Sequence, residues 1–352
     1  MKIEVVENVR LSDDGAAVII LDQTLLPNET KYLRLHEPRD LYDAITALRV
    51  RGAPAIGIFA AYAMYVLARQ SKAKNYRGLY ADIRKHRALL EFARPTAVNL
   101  PKQLHRMEKL VGSMPKTPIP QILFAMRKEA EKIQREDIDM CRAISEHGLS
   151  LVRDGNGVLT YCNAGPIATS RYGTALGPII LANERGIELD VYCCETRPLL
   201  QGARLTTYEL YKAGIDCTLV CDNMASILMK DGKIDAVFVG CDRVAMNGDV
   251  ANKIGTSGLA VLAKYYGVQF YVFCPSSTID QQCNTGAEMK IELRQEIEIK
   301  EMYFEQPVAP HGVRCYNPAF DVTDNHLITA IVTEKGICKQ PYLESLKQFK
   351  DA

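Results

Sequence analysis

The 352-residue sequence predicts an α/β protein: a Rossmann-like domain built on a parallel sheet, preceded by a smaller N-terminal α+β domain of short antiparallel strands and helices. Three observations carry this. From Val158 onward, short apolar runs (VLTYC, LDVYCC, DCTLVC, AVFVG and QFYVFC) alternate with segments long enough for crossover helices. The runs are apolar at nearly every position rather than at alternate ones, as in strands covered on both faces. Polar clusters follow them: Cys162-Asn163-Ala164-Gly165, Glu195-Thr196-Arg197-Pro198, Asp222-Asn223-Met224 and Gly240-Cys241-Asp242-Arg243. They stand at strand carboxyl ends, where doubly wound sheets bind their ligands.

The chain is long for one core, and the pattern divides it into residues 1–150 and 151–352. Residues 3–25 read as two strands joined at Ser12-Asp13-Asp14-Gly15, a hairpin turn, with a further strand within 26–34. Apolar spacing predicts helices over 40–48, 76–93, 99–111 and 119–151. The run from Ala53 to Ala68 is too short for a bilayer span and reads as a buried helix with Pro54 in its first turn. Gly148 and Asp154-Gly155-Asn156-Gly157 mark the junction. Beyond the five runs, residues 289–304 read as an excursion, 327–333 as another strand and 342–350 as a closing helix.

Composition narrows the function. A net charge of +1 gives no electrostatic case for nucleic acid or an anionic membrane. The N-terminus has no apolar signal region, so a cytoplasmic protein is expected. The eleven cysteines contain no CxxC and no zinc-ligand spacing, and there is no HExxH, so no metal is expected. Cys193, Cys217, Cys221 and Cys274 lie in apolar strands and read as small buried hydrophobes in a reducing compartment. GxxxxGK[ST] is absent and no GxGxxG opens the α/β part, so neither a P-loop nor a dinucleotide cofactor is inferred.

Several positions carry chemistry. Cys162 at a strand–turn–helix junction would gain thiolate character from a helix N-terminus, or would be inert filler. Asp242, after a very apolar strand, would have its pKa raised by apolar walls and serve as a proton donor, or be lowered by a salt bridge to Arg243. Arg51, Gly52 and Ala53 precede a helix start and suit a small anion; a capped helix with a solvated Arg51 fits equally. Arg94 is presented by the turn at Pro95. Gln201, and Asn252 with Lys253, suit a hydroxylated anion, the amides on hydroxyls and the ammonium on charge.

Taken together, RVRGAPAIG, ARPTAVNL, CNAGPIATSRYGTALGP, ETRPLLQGARLT, DNMAS, VGCDRVAMNGDVANKIGTSGLAVLAK, STID and YNPAFDVT closely resemble the methylthioribose-1-phosphate isomerase family, from about residue 49 to 335. That fold family includes 5-deoxyribose 1-phosphate isomerases, ribose-1,5-bisphosphate isomerases and regulatory subunits of a translation initiation factor's exchange complex. The resemblance implies a cofactor-independent aldose–ketose isomerisation of a 5-substituted ribose 1-phosphate, a step of methionine salvage, by a homodimer. It makes Cys162 and Asp242 catalytic and puts substrate contacts on Arg51, Gly52, Ala53, Arg94, Gln201, Asn252 and Lys253. Two departures are visible: Cys194 stands where many members have Asp before ETRP, and MKIELR replaces an acidic IPIEER-like segment. The alternative within the fold family is a non-catalytic exchange subunit, which would be expected to lack the thiol or the acid.

Overall fold

The computed structural model describes residues 6–94 and 99–349. The start of the first strand run, the Pro95 turn and the end of the closing helix lie outside the described residues. By its contacts the chain forms two compact units. One takes the N-terminal chain through Asp139 together with Pro166–Gly173; the other takes Met140–Gly165 and the chain from Thr174 onward.

In the N-terminal unit, β1 (Val9–Leu11), β2 (Val18–Leu21) and β3 (Tyr32–Leu35) form an antiparallel sheet in that order. The β1–β2 turn closes as its sequence suggests: Ser12 Oγ donates to Asp14 Oδ1 at 2.6 Å, and the Ser12 N–H to Ala17 O at 2.9 Å. Among the described residues five helices follow: α1 (Pro38–Thr46), α2 (Ala53–Gln70), α3 (Tyr76–Phe92), α4 (Asn99–Gly112) and α5 (Ile119–Leu149). Every α2 residue from Ala55 to Ala68 is buried, as an all-round apolar helix requires. Phe59 and Met64 of α2 share a core with Leu79 and Leu90 of α3, Leu104 and Met107 of α4, and Ile122 and Met126 of α5.

The division by contacts differs from the 1–150 and 151–352 partition read from turn residues. It falls inside α5, because a continuous helix contributes to both units while glycines mark only where that helix stops. It also gives Pro166–Gly173 to the N-terminal unit. Within that unit Asn8 Nδ2 donates to Ile167 O at 2.8 Å and Thr169 O at 2.7 Å, satisfying loop carbonyls that no ladder serves.

The C-terminal unit holds the sheet. Its strands are β4 (Gly157–Tyr161), β5 (Asp190–Cys194), β6 (Cys217–Val220), β7 (Ala236–Val239), β8 (Arg243–Val244), β9 (Val250–Lys253), β10 (Gln269–Phe273), β11 (Phe320–Thr323), β12 (Ala330–Thr333) and β13 (Gly336–Cys338). Seven of them form one sheet in the order β13-β12-β10-β7-β4-β5-β6, parallel except for the β12–β13 pair. Crossover helices include α6 (Gly177–Glu184), α7 (Thr207–Lys212), α8 (Ala225–Lys230) and α9 (Thr256–Tyr266).

Alternation along the strands explains their continuous apolarity. Val237, Val239, Phe270 and Val272 pack with Ala225 and Met229 of α8 and Leu259, Ala260 and Ala263 of α9. The intervening Phe238, Tyr271 and Phe273 point to the other face and pack on one another, Phe238 and Phe273 with centroids 4.6 Å apart.

β6 departs from the expectation of two covered faces. It is the sheet's edge; Leu219 and Cys221 are exposed and Cys217 is half-buried, so two of the four cysteines expected to be buried are not. The 327–333 run becomes a strand only from Ala330, and the closing helix is a short turn, Tyr342–Ser345, followed by a 3₁₀ turn. A small antiparallel sheet, β11-β9-β8, was not apparent in the sequence, because β9 (VANK) mixes polar and apolar residues and β8 has only two.

Candidate active site

The order of the large sheet reverses at β4. The chain runs β4 to β5 to β6 toward one edge, then returns to β7 on the other side of β4 and continues to β10 and β12. Such a reversal opens a crevice beyond the carboxyl ends of the two central strands. β4 and β7 are paired in parallel with Tyr161 opposite Val239. Cys162 is the next residue after Tyr161, and Asp242 comes three after Val239. The two strand ends run close together: a Cβ on Gly240 would lie 2.8 Å from the Ala164 Cβ, so glycine is required there.

Cys162 is buried and has φ +64°, a left-handed conformation that is rare outside glycine. Its N–H donates to Thr196 Oγ1 at 2.8 Å, and its carbonyl accepts from Thr206 Oγ1 at 2.6 Å. The next residue, Asn163, donates through Nδ2 to the buried Glu209 carboxylate at 2.6 Å. The strand–turn–helix junction expected at Cys162 is not formed: the chain enters a 3₁₀ turn at Pro166–Ala168, and the next α-helix begins at Gly177. No helix N-terminus follows directly to favour a thiolate.

Asp242 also departs from expectation. It is exposed rather than enclosed by apolar walls, because β7 ends at Val239 and the chain has left the sheet before reaching it. Its N–H donates to Ala251 O at 2.9 Å and starts the β8–β9 hairpin, in which Arg243 pairs with Ala251. One step along that register sets Asp242 beside Asn252. Arg243 lies 3.6 Å from Asp280.

Asn252 and Lys253 close β9, and both are buried. Asn252 Nδ2 donates to Thr256 Oγ1 at 3.1 Å; Lys253 Nζ donates to Ala319 O at 3.0 Å and stands 4.4 Å from the centre of the Phe320 ring. Asp321, opposite Asn252 in the ladder, accepts from the N–H groups of Gly255 (2.7 Å) and Ser257 (3.2 Å) at the start of α9. Burial pushes its carboxyl up to about 6 against those two donors.

Gln201 does not open an ordinary helix. It precedes a π-helical turn, Gly202–Thr206, that leads into α7. π turns of this kind are frequent at functional sites. The side chain is buried and its Oε1 has no hydrogen-bond partner among the described residues. A buried, unsatisfied acceptor calls for a donor from elsewhere.

Arg51, Gly52, Ala53 and Arg94 lie in the N-terminal unit. Gly52 stands before the first residue of α2 with φ +92°, and a Cβ there would be 2.4 to 2.8 Å from backbone atoms of Ala168. Ala53 is exposed, and Arg51 and Arg94 are half-buried. An open recess in the same unit, lined by Tyr62, Glu131, Gln134, Arg135, Ile138 and Asp139, includes none of the sequence-derived site residues.

Thus Cys162, Asp242, Gln201, Asn252 and Lys253 all lie in segments that follow carboxyl ends of the sheet's strands, within one unit. Sequence reasoning named Thr196 only as part of the ETRP cluster and passed over Thr206 and Glu209, which also hold the Cys162 turn; these two stand in a crossover already mixed with Arg204, Thr207 and Lys212, so nothing singles them out.

Fold and site together define an α/β protein with a thiol and a carboxyl following adjacent parallel strands at the sheet reversal. The chain belongs to the Initiation factor 2 subunit family, whose pattern it matches over residues 49–340. It is 57% identical to a methylthioribose-1-phosphate isomerase of Symbiobacterium thermophilum, over 98% of this chain and 96% of that one. It is 56% identical to a 5-deoxyribose 1-phosphate isomerase of Petrotoga mobilis, over 97% and 98%. Its fold is similar to the crystal structure of 5-methylthioribose 1-phosphate isomerase from Pyrococcus horikoshii OT3, with a TM-score of 0.94 and 36% identity over 99% and 96% of the chains. It is also similar to a structure titled translation initiation factor eIF-2B, subunit delta, from A. fulgidus, with a TM-score of 0.91 and 38% identity over 97% and 99%.

Proposed function

We propose that this protein is an aldose–ketose isomerase that converts a 5-substituted ribose 1-phosphate to the corresponding ribulose 1-phosphate, with Cys162 and Asp242 as its reacting pair. The observation that supports this most is their position after the two strands flanking the sheet reversal. The identities to two relatives named as isomerases of such sugars agree with it.

The substrate carries phosphate on its anomeric carbon and has no free aldehyde, so its ring must be opened during the reaction. Asp242, covered by the bound sugar, gives a proton to the ring oxygen as the C1–O bond breaks. Cys162 takes the proton from C2 and returns it to C1. The O2 hydroxyl proton, released as the ketone forms, restores the acid, so atoms and charge balance. If hydride moves from C2 to C1 instead, Cys162 stabilises the transition state. Neither route passes a step through a metal or an organic cofactor.

Asn252 and Gln201 hydrogen-bond sugar hydroxyls; a hydroxyl donating to Gln201 Oε1 would satisfy that orphaned acceptor. Lys253 meets phosphate charge; within the N-terminal unit Arg51 and Arg94, with the backbone N–H groups of Gly52 and Ala53, suit an anion. The working form is a cytoplasmic homodimer.

The test is turnover of 5-methylthioribose 1-phosphate by Cys162→Ser and Asp242→Asn. Each is expected to lose roughly 10² to 10⁴-fold in kcat; near-normal rates in either would overturn its role. Conversion run in D₂O separates the routes, since proton transfer admits deuterium at C1 and hydride transfer does not. The second reading, a preference for 5-deoxyribose 1-phosphate, is favoured by the nearly equal identity to a relative of that name.

A further inference from the structure

A non-glycine residue at φ +64° stays there only when its neighbours hold it, and two threonine hydroxyls hold Cys162. Thr206 Oγ1 donates to its carbonyl at 2.6 Å, and Thr196 Oγ1 accepts its N–H at 2.8 Å. The direction of the second bond is fixed. The Thr196 hydroxyl proton goes to Cys194 O at 3.2 Å, which leaves an oxygen lone pair for the Cys162 N–H.

Thr196 is fully buried and is itself left-handed, with φ +66°. Its turn is held in turn by Asp222, whose Oδ1 accepts the Thr196 N–H and whose Oδ2 accepts the Arg197 N–H, both at 2.7 Å. Cys162 follows β4, Thr196 follows β5 and Asp222 follows β6. One series of hydrogen bonds therefore links three successive strand ends and terminates on the thiol-bearing residue.

We propose that Thr196, braced by Asp222, is a positioning residue: its hydroxyl holds Cys162 in the left-handed conformation that fixes the direction of the Cα–Cβ bond toward the reacting carbons. This rests on the reading of Cys162 as a reacting group. Thr196 touches no substrate atom in this scheme, so its loss affects the chemical step and not binding.

The experiment compares Thr196→Val, Thr196→Ser, Asp222→Asn and Cys162→Ser in the full chain, with 5-methylthioribose 1-phosphate and 5-deoxyribose 1-phosphate as substrates and melting temperature as a check on folding. Thr196→Val is expected to lower kcat about 10- to 100-fold with KM within about twofold, the scale of effect of a misplaced catalytic group. Thr196→Ser keeps the hydroxyl and is expected to recover to within about threefold of the parent, with Asp222→Asn between the two. A parental kcat in Thr196→Val overturns the proposal. So does a Thr196→Ser as impaired as Thr196→Val, since shape and not the hydroxyl would then matter. Should Thr196→Val fail to fold, Asp222→Asn decides: a loss confined to kcat supports the proposal and an unchanged kcat overturns it. Cys162→Ser separates the two levels. If it turns over normally, the catalytic reading itself fails; if it is inactive while Thr196→Val is unimpaired, only the positioning role fails.

Discussion

Asp137 lies in α5 with 8% of its surface exposed, and its Oδ2 has no hydrogen-bond partner among the described residues. Burial pushes its carboxyl up to about 6 from an ordinary 3.8, against the opposing influence of Ser170. The folded protein therefore holds this proton more tightly than the unfolded chain. The group's contribution to stability is complete below about pH 3.8 and is lost as pH rises through about 6. Asp137→Asn has no such loss, so its advantage over the parent is expected to be larger at pH 8 than at pH 5, by about 1.4 kcal/mol. Thermal unfolding at the two pH values measures it; an equal difference at both would mean that Asp137 does not ionise in this window. Nothing in the sequence marks this residue, since an aspartate in a charged helical stretch reads as part of a solvated face and only packing reveals its burial. Asp242 shows the converse: the apolar strand before it suggested enclosure, yet three residues past the strand Asp242 itself is exposed.

At the scale of the element, the start of α2 is set by close approach. Gly52 has φ +92°, and a Cβ there would meet Ala168 backbone, which has no flexible end to move aside. Gly52→Ala is expected to destabilise by at least about 1–3 kcal/mol through strain and overpacking. A melting temperature equal to the parent's would refute this. The start of α3 offers a milder case. Asn75 Oδ1 accepts the Gly78 N–H at 2.9 Å, and Asn75→Ala is expected to cost about 1 kcal/mol in denaturant unfolding with turnover unchanged. These local features follow from residue type: Pro54 sits in the first turn of α2, and helical spacing located α3, α4 and α5 closely. What residue type did not give was the β8–β9–β11 sheet, whose strands are too short or too polar to produce a periodic signal.

For the whole molecule the property to predict is its preference between two sugars. Two relatives of nearly equal identity carry names that differ only in the 5-substituent. Telling methylthio from deoxy depends on a small apolar area, on the order of 1–3 kcal/mol. Both sugars are expected to turn over, with kcat/KM values within about 200-fold of each other. Complete inactivity on one of them would show a polar discrimination that apolar contact cannot provide. Inactivity on both, together with binding to a translation initiation factor, would favour the exchange-subunit reading.

By itself the sequence determined the parallel sheet and the identity of the polar residues at its carboxyl edge. Continuous apolar runs bury both faces of a strand, and the chain's polar residues are left where those runs stop. Only the tertiary structure decided the strand order that reverses between β4 and β7, and so which two of those strand ends flank the crevice. It also decided the left-handed turn at Cys162, which depends on hydroxyls 34 and 44 residues away. Strand order and long-range hydrogen bonds are relations between segments distant in the chain, and no local periodicity records them.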